Sequence, residues 1–193
     1  ILIYTCIYAF MSLGQNLITG YTGMLSLCAA GFFAVGSYTT AILTTKFAWS
    51  FWATLPVAAI LAALMGVLIG LPTLRLKGDY LAIATLGFAE IVRNIINNWD
   101  ALTNGPMGIQ RIPMITIFGL KISPYQKYGF LLMEIILLAV CWFLFERLAS
   151  SRMGRALEAI REDEIAANSM GINVTKYKVV SFALGAAVTG IAG

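Results

Sequence analysis

The sequence predicts an all-α fold, a polytopic bundle of transmembrane helices, on the strength of its composition and its apolar runs. Of the 193 residues, 60% are hydrophobic and only 11% are charged, whereas soluble domains carry roughly 25% charged residues. Several apolar runs also approach the ~20 residues that a helix needs to cross a bilayer. We therefore expect a lipid bilayer, rather than water, to surround most of the protein.

Six apolar segments are predicted to cross the membrane, five of them completely and the sixth only at its start. The predicted spans cover residues 1–19, 21–45, 51–71, 80–97, 128–145 and 177–193. The chain begins at Ile1 without an initiator Met and stops at Gly193 inside an apolar run. We therefore expect one membrane domain that is a fragment at both ends.

The basic residues predict which side of the membrane each loop occupies, because Lys and Arg are enriched in cytoplasmic loops. Residues 147–176 form the most basic loop and are predicted to be cytoplasmic, and Arg75 and Lys77 fall on the same side. Residues 98–127, rich in Asn, Gly and Pro, are predicted to form an irregular external segment. This alternation of sides holds only if residues 80–97 cross the membrane.

The second span is predicted to be partly unwound. A helix over residues 20–45 would reach about 39 Å, more than the ~30 Å of hydrocarbon requires. The expected place of unwinding is residues 20–23, which begin and end with glycine. Four residues in this region are candidates for lining a transport route: Asn16, Gly20, Gly23 and Ser26.

The fourth span is predicted to be shielded from lipid because it carries Glu90 and Arg93, followed by Asn94 and Asn97. A central charge costs about 2.5–3.5 kcal/mol, and each large apolar residue returns only about 0.3–0.6 kcal/mol. We expect these four residues to form a polar stripe that faces the bundle interior or a water-filled vestibule. Glu90, Arg93 and Asn94 are thus further candidates for the route, and a structural Glu90–Arg93 ion pair at i,i+3 is an equal alternative.

Three rows of small residues at four-residue spacing predict close helix packing in the membrane. They are Thr22, Ser26, Ala30 and Ala34; Ala58, Ala62, Gly66 and Gly70; and Ala186 with Gly190. Packing seams are the favoured interpretation of each row. For the first row, a lining of the transport route is the alternative.

The predicted cytoplasmic loop holds a densely charged stretch that favours two short helices. Good helix formers and charges at i,i+3 predict a helix over residues 152–162. Asp163 is placed to cap a second helix over residues 164–170, which Gly171 would end. Apolar residues share one side of this stretch: Leu157, Ile160 and Ala167. On its own, the pattern favours a solvated loop over a docking element for a partner.

No metal, redox or nucleic-acid site is predicted. The sequence contains no histidine, and its three cysteines stand far apart in apolar runs, without the spacings typical of zinc or disulfide chemistry. The net charge of +4 is explained by membrane topology. We therefore expect no cofactor.

Four stretches resemble the permease subunits of branched-chain amino-acid ABC importers. They are LGQNLITGYTGMLSLCAAGFFAVGSYTTAIL (13–43), GDYLAIATLGFAEIVRNIINN (78–98), GPMGI (105–109) and SRMGRALEAIREDEIAANSMGIN (151–173). The resemblance implies an inner-membrane transport subunit of a prokaryotic cell, which moves branched-chain or other hydrophobic amino acids in a process driven by ATP. Related permeases for urea or amides and for sugars share the architecture and are an alternative.

The resemblance also implies partners. In this family the permease works in the lipid bilayer with a second homologous permease subunit, two cytoplasmic ATP-binding subunits and an external solute-binding protein. The sequence lacks the GxxxxGK[ST] motif that cradles ATP phosphates. The chain is therefore expected to be a transport subunit rather than an enzyme, with ATP hydrolysis on a partner chain.

The resemblance makes the charged loop a coupling-helix segment. The resemblance implies that the loop before the truncated helix of this sequence docks onto the ATP-binding subunit. ABC importers often carry Glu-Ala-Ala, three residues and Gly in this loop. Here Ala166, Ala167 and Gly171 keep that spacing, but Ile165 stands at the Glu position. Which acid contacts the ATPase is therefore open. The residues expected to act in coupling are Arg155, Glu158, Ala159, Arg161, Glu162, Asp163, Glu164, Ala166, Ala167 and Gly171.

Two functions from other classes are alternatives. An ion-coupled secondary transporter would use Glu90 and Arg93 as its coupling site, and it would take up substrate under an ion gradient without ATP. A passive channel or a non-transporting scaffold is the other alternative, although nothing in the sequence resembles a selectivity filter.

Overall fold

A computed structural model of the chain describes residues 1–73, 76, 78–110, 112, 115–117, 120–122 and 127–193. Arg75 and Lys77, which entered the topology prediction, lie outside the described residues. The elements, in chain order, are α1 (Leu2–Asn16), a π-helical turn (Leu17–Tyr21), α2 (Ala29–Lys46), α3 (Phe51–Thr73), α4 (Asp79–Asn98), α5 (Asp100–Thr103), a 3-10 turn (Gly105–Met107), β1 (Ile115–Ile117), β2 (Leu120–Ile122), α6 (Lys127–Ala149), α7 (Arg152–Glu162), α8 (Glu164–Ser169) and α9 (Val174–Ala192).

Long helices occupy all six positions where spans were predicted, so the helical fold class is confirmed. Among the described residues, three helices are long and apolar enough to cross a bilayer: Leu2–Tyr21, Phe51–Thr73 and Gly129–Ala149. Over their described residues, the helices α2, α4 and α9 are not both long enough and apolar enough to be counted with these three. The count of five spans and the start of a sixth therefore stays a prediction.

α9 lies at the centre of the bundle, with α1, α2 and α3 packed around it. Its most extensive contact is with α3, along the two rows of small residues that were predicted to form seams. A Cβ atom on Gly66 would lie 2.7 Å from the carbonyl oxygen of Phe182 and 2.8 Å from Cβ of Ala186. A Cβ on Gly190 would meet Ala62 in the same way. The packing-seam interpretation of these two rows is confirmed.

The second predicted span contains a break in the helix. The prediction that part of this span is unwound is confirmed, but the place agrees only at Gly23, since Gly20 and Tyr21 belong to the π-helical turn. Residues 23–28, here called the helix break, have no helical structure, and α2 begins only at Ala29. The predicted row from Thr22 to Ala34 is therefore not one helical row. The break is held by contacts with distant residues, which local spacing does not reveal.

The segment after α4 is more regular, where it is described, than the predicted irregular loop. It contains α5, the 3-10 turn and an antiparallel hairpin in which Ile115 pairs with Ile122 and Ile117 with Leu120. β-Branched residues such as these isoleucines favour extended strands. The prediction of an irregular segment is therefore corrected for these short elements, among the residues that the structure describes.

Candidate functional site

α7 begins at a capped residue and has a buried apolar side. The side-chain oxygen of Ser151 accepts a hydrogen bond from the backbone N–H of Met153 at 3.1 Å, which satisfies one of the free donors at the helix start. Leu157 and Ile160 are buried, as is Ala167 in α8. The helix thus covers the predicted residues, and the apolar side that was predicted for it faces inward.

Asp163 joins α7 to α8 and caps α8. One carboxylate oxygen accepts hydrogen bonds from the backbone N–H groups of Ile165 at 2.8 Å and Ala166 at 3.0 Å. These bonds, first that from Ala166 and then that from Ile165, lower the pKa of the Asp163 carboxyl. Gly171 follows α8 with a φ of 83°, a left-handed conformation that glycine adopts without strain. The predicted cap and the predicted stop are both present.

Glu164 makes an ion pair with Lys178, which lies near the start of α9. The distance from the Glu164 carboxylate to the Lys178 ammonium is 2.8 Å, and the Lys178 side chain is only 9% exposed. A buried ammonium group needs a paired partner to offset its lost hydration. The Glu164 carboxylate is therefore already paired with a residue of this chain.

Two further acids among the coupling candidates lie on the outer side of α7. Glu158 and Glu162 are exposed, and neither forms an ion pair with another described residue. Of the four acids whose role was open, these two thus face outward, whereas Asp163 and Glu164 are bonded within the chain.

Three of the remaining coupling candidates make few polar contacts. Arg155 is exposed and, within the described part of the chain, its side chain donates only to the nearby carbonyl of Ser150, at 3.3 Å. Ala159 is half-buried and packs against the apolar cluster that contains Ile160, and Ala166 is exposed. None of these three residues reaches the long helices through a polar bond that the described residues show.

Arg161 connects α7 to the π-helical turn that precedes the helix break. Its guanidinium Nη1 donates a hydrogen bond to the carbonyl oxygen of Gly20 at 2.7 Å. The aliphatic part of the same side chain lies beside Gly23, where a Cβ would be 3.1 Å from Cγ of Arg161. Gly23 has a φ of 68°, so a side chain there would be strained as well.

A groove of about 780 Å³ runs beside α1 and the helix break. One wall is a polar face of α1 and the following turn, built from residues at helical spacing, and the other wall comes from the break. The first wall includes Ser12, Gln15, Asn16 and Thr19, and the second includes Leu25, Ser26 and Leu27. Among the described residues that line the groove, none is charged.

Gln15 and Thr85 hold the break in its unwound form. The side-chain amide of Gln15 donates to the hydroxyl of Thr19 at 3.0 Å and also to the backbone oxygen of Ser26. The hydroxyl of Thr85, in α4, accepts from the backbone N–H of Leu27 at 2.9 Å. Side chains from two other elements therefore satisfy backbone groups that a helix would have paired internally.

The predicted route residues fall into two separate places. Three of them line the groove together, namely Asn16, Gly20 and Ser26, and Gly23 lies close by in the break. The other three lie on the exposed side of α4, namely Glu90, Arg93 and Asn94.

The polar stripe on α4 differs from its prediction in where it faces. The expected ion pair is present, with 3.4 Å between the Glu90 carboxylate and the Arg93 guanidinium. Among the described residues the stripe does not face the interior of this chain's bundle, because α4 instead buries Leu81, Thr85 and Val92, and the alternative of a water-filled vestibule stays a prediction. Apolar and hydroxyl groups, rather than charges, are therefore the groups that α4 packs against its neighbours.

Comparison with known proteins assigns the chain to a family. The model of the family described as "Branched-chain amino acid transport system / permease component" matches residues 1–193. The chain belongs to this family. One relative is the high-affinity branched-chain amino acid transport system permease protein LivM of Escherichia coli. It is 41% identical to this chain, over 98% of the chain and 49% of LivM.

Two further relatives of the permease-family chain come from Methanocaldococcus jannaschii. The probable branched-chain amino acid transport permease protein LivM is 30% identical over 70% of this chain and 40% of its own length. The probable branched-chain amino acid transport permease protein LivH is 26% identical over 100% of this chain and 62% of its own length. The chain spans about half the length of the bacterial LivM proteins that it matches. No solved structure gives a significant match.

Two apolar residues of this permease-family chain were not predicted as site residues. Ile165 is 75% exposed and Met170 is 84% exposed, in α8 and directly after it. Single exposed apolar side chains are common on protein surfaces, so these two indicate a partner surface only together with the resemblance to coupling segments. The sequence offered one indication of this exposure, because Ile165 stands where the Glu-Ala-Ala pattern has a charged residue.

Proposed function

We propose that the chain is part of the membrane-spanning permease of an ATP-driven importer for branched-chain or other hydrophobic amino acids. Membership of the permease family supports this class of function. The observation that carries the mechanism is the placement of α7 and α8. Their inner side is bonded to the long helices, and their outer side exposes acidic and apolar residues.

The outer side of α7 and α8 is the proposed docking surface for a cytoplasmic ATP-binding subunit. It consists of Glu158, Glu162, Ile165 and Met170, and it is called the docking surface below. Apolar side chains next to charges give an interface both contact area and orientation. Two ATP-binding subunits, one for each permease subunit, complete the proposed importer.

The groove beside the helix break is the proposed part of the transport route in this chain. Its described lining offers amide and hydroxyl groups and apolar side chains but no charged residue. Such a lining fits a solute without net charge, such as a zwitterionic amino acid with an apolar side chain. The names of the relatives, which specify branched-chain amino acid transport, support the same substrate class.

The proposed topology keeps the six predicted spans, with α7 and α8 on the cytoplasmic side of the inner membrane. The polar stripe on α4 is then covered by protein, because exposed charges in hydrocarbon are unfavourable. A second homologous permease subunit is the proposed cover of Glu90, Arg93 and Asn94. An external solute-binding protein would deliver the substrate from the opposite side.

The ion-coupled alternative is not favoured. Glu90, the acid it requires, is paired with Arg93 on the outer side of α4 rather than placed in the groove. The family to which the chain belongs is one of transport-system permease components. ATP-driven import is therefore the function that the geometry and the comparisons support best.

Charge reversal on the docking surface tests the proposal. In the full-length protein, reconstituted with its partner subunits, Glu158→Lys combined with Glu162→Lys is expected to uncouple ATP hydrolysis from uptake. Glu146→Lys, which reverses an exposed acid near the end of α6, is the matched control and is expected to transport normally. Full uptake with normal stimulation of ATP hydrolysis in the double variant would contradict the proposed docking surface.

A further inference from the structure

α7 and α8 are bonded to the long helices at two points that differ in chemistry. Arg161, near the end of α7, donates to the Gly20 carbonyl at 2.7 Å. Glu164, at the start of α8, pairs with the buried Lys178 of α9 at 2.8 Å. Only two residues separate Arg161 from Glu164 in the sequence. A displacement of this joint between α7 and α8 therefore acts on both contacts.

The Gly20 carbonyl is a group that needs an external partner. Gly20 lies in the last part of the π-helical turn, which ends at the next residue. Carbonyl groups at a helix end have no partner within the helix and carry partial negative charge. The Arg161 guanidinium supplies both the missing donor and the complementary charge.

Gly20 also links Arg161 to the groove. Gly20 and Asn16 both line the groove, and they are so close that a Cβ on Gly20 would overlap the Asn16 side-chain oxygen. A shift of the Gly20 carbonyl therefore moves the groove wall directly. No intervening helix has to tilt for this movement to occur.

The two contacts are anchored in parts of the chain with different rigidity. Lys178 belongs to α9, which is packed on three other helices. Arg161 contacts the end of the π-helical turn, whose first residue, Leu17, accepts a hydrogen bond from the Ser181 hydroxyl of α9 at 2.9 Å. The helix break that follows, in contrast, has no helical hydrogen-bond ladder. Segments with few internal bonds move at the lowest free-energy cost. The break is therefore the part that moves when Arg161 shifts the end of the turn, and the Glu164–Lys178 pair is the pivot.

We infer that Arg161 is a positioning residue that transmits movement of α7 and α8 to the helix break and so changes the shape of the groove. The Glu164–Lys178 pair is the pivot of this movement. The inference rests on the proposed function, because it concerns how docking of an ATP-binding subunit reaches the transport route. It differs from docking itself, since Arg161 acts inside the chain.

The test compares Arg161→Gln with Arg152→Gln in the full-length, reconstituted importer. Arg152 lies on the same helix, is exposed and forms no ion pair with another described residue, so it is the matched control. Ser12→Cys, exposed in the groove, is added to each protein as a reporter for a membrane-impermeant thiol reagent. Labelling of the native cysteines, measured without the reporter, is subtracted.

With Arg161 present, the labelling rate of the reporter is expected to change when ATP or its non-hydrolysable analogue is added. In Arg161→Gln this nucleotide dependence is expected to disappear, and uptake per ATP hydrolysed is expected to fall about tenfold, within the usual range of coupling between sites. Binding of the ATP-binding subunits is expected to be unchanged. Arg152→Gln is expected to keep both the labelling change and the uptake.

Two results would overturn the inference. One is a normal nucleotide-dependent labelling change in Arg161→Gln, and the other is weaker binding of the ATP-binding subunits, which would make Arg161 a docking residue.

Exchange of the pivot charges, Glu164→Lys with Lys178→Glu, is expected to restore the coupling that either single change removes. Failure of the unsubstituted importer to take up substrate with ATP would instead refute the proposed function.

Discussion

The guanidinium of Arg161 and the backbone carbonyl of Gly20 are joined by a hydrogen bond of 2.7 Å across 141 positions of the sequence. This bond ties the charged α7 to the π-helical turn beside the groove. The Glu164–Lys178 pair ties the neighbouring α8 to the central helix α9. One short polar contact therefore connects the proposed docking surface to the proposed route, and a second connects it to the central helix.

Loss of the Glu164 charge is expected to destabilise the protein. Glu164→Gln leaves the Lys178 ammonium buried without its ion partner, and removal of one member of a fully buried pair costs about 3–5 kcal/mol. Because the Glu164 side chain is 35% exposed, we expect a smaller loss of about 1–2 kcal/mol. Thermal unfolding in detergent measures it, with the exposed Glu158→Gln as control. Equal melting temperatures for the two variants would show that the pair contributes nothing.

A methyl group at Gly66 is expected to disrupt the α3–α9 seam. The new Cβ would lie 2.7 Å from the Phe182 carbonyl oxygen, and overpacking of this kind costs about 1–3 kcal/mol. Gly87→Ala, in α4, is the matched control, since a Cβ there meets no described atom within 4 Å. Thermal unfolding of both variants should show a lower midpoint for Gly66→Ala only. A Gly66→Ala protein as stable as Gly87→Ala would disprove the close packing of the seam.

The Asp163 cap is expected to protect the first turn of α8. Asp163→Ala removes the acceptor for the backbone N–H groups of Ile165 and Ala166, whereas Asp163→Asn keeps an acceptor oxygen. Hydrogen exchange of these two amides should be faster in the alanine variant and nearly unchanged in the asparagine variant. Slow exchange in both would argue against the cap.

The same cap is expected to depend on pH in one direction. The pKa of Asp163 is lowered by its backbone hydrogen bonds, so the folded-state value lies below the unfolded one. The stabilisation is therefore complete above the unfolded pKa and is lost as pH falls through the folded pKa. Amide protection in α8 should decrease with acid in the unsubstituted protein but not in Asp163→Asn. An identical pH response in both proteins would contradict this assignment.

The exposed apolar residues of the docking surface are expected to contribute directly to binding of the proposed ATP-binding subunit. Ile165→Ser combined with Met170→Ser removes the two large side chains, and full burial of such a side chain contributes about 1.5–3 kcal/mol. The affinity of the ATP-binding subunit for the full-length permease in nanodiscs should fall at least about tenfold. Asn168→Ser, an exposed polar change in α8, is the control. Unchanged affinity in the double variant would remove these residues from the interface.

Local signals allowed α7, α8 and the two rows of small residues to be predicted from the sequence, but not that these rows pack on each other. The Asp163 cap, the Gly171 stop and the four-residue spacing of small side chains all act between neighbours or along one helix. At these positions the local preference of the residues and their packing favour the same structure, so the prediction agrees with the observed helices and seam.

The helix break and the orientation of α4 depend on contacts that no local spacing reveals. The break and the turn before it are held by Gln15, Thr85 and Arg161, which lie in three other elements. The polar stripe was expected inside because charges are unfavourable in lipid, yet which side of α4 is buried depends on its packing against α2 and α3. Likewise, only the packing of α8 against α9 brings Glu164 to Lys178.

ATP dependence of uptake tests the central claim most directly. The full-length protein is reconstituted into liposomes with its second permease, its ATP-binding subunits and its solute-binding protein, and uptake of radiolabelled leucine is measured. We predict uptake only with hydrolysable ATP on the side of α7 and α8, and none with a non-hydrolysable analogue or with an ion gradient alone. Uptake by the full-length protein alone, driven by a proton or sodium gradient without ATP, would contradict the claim.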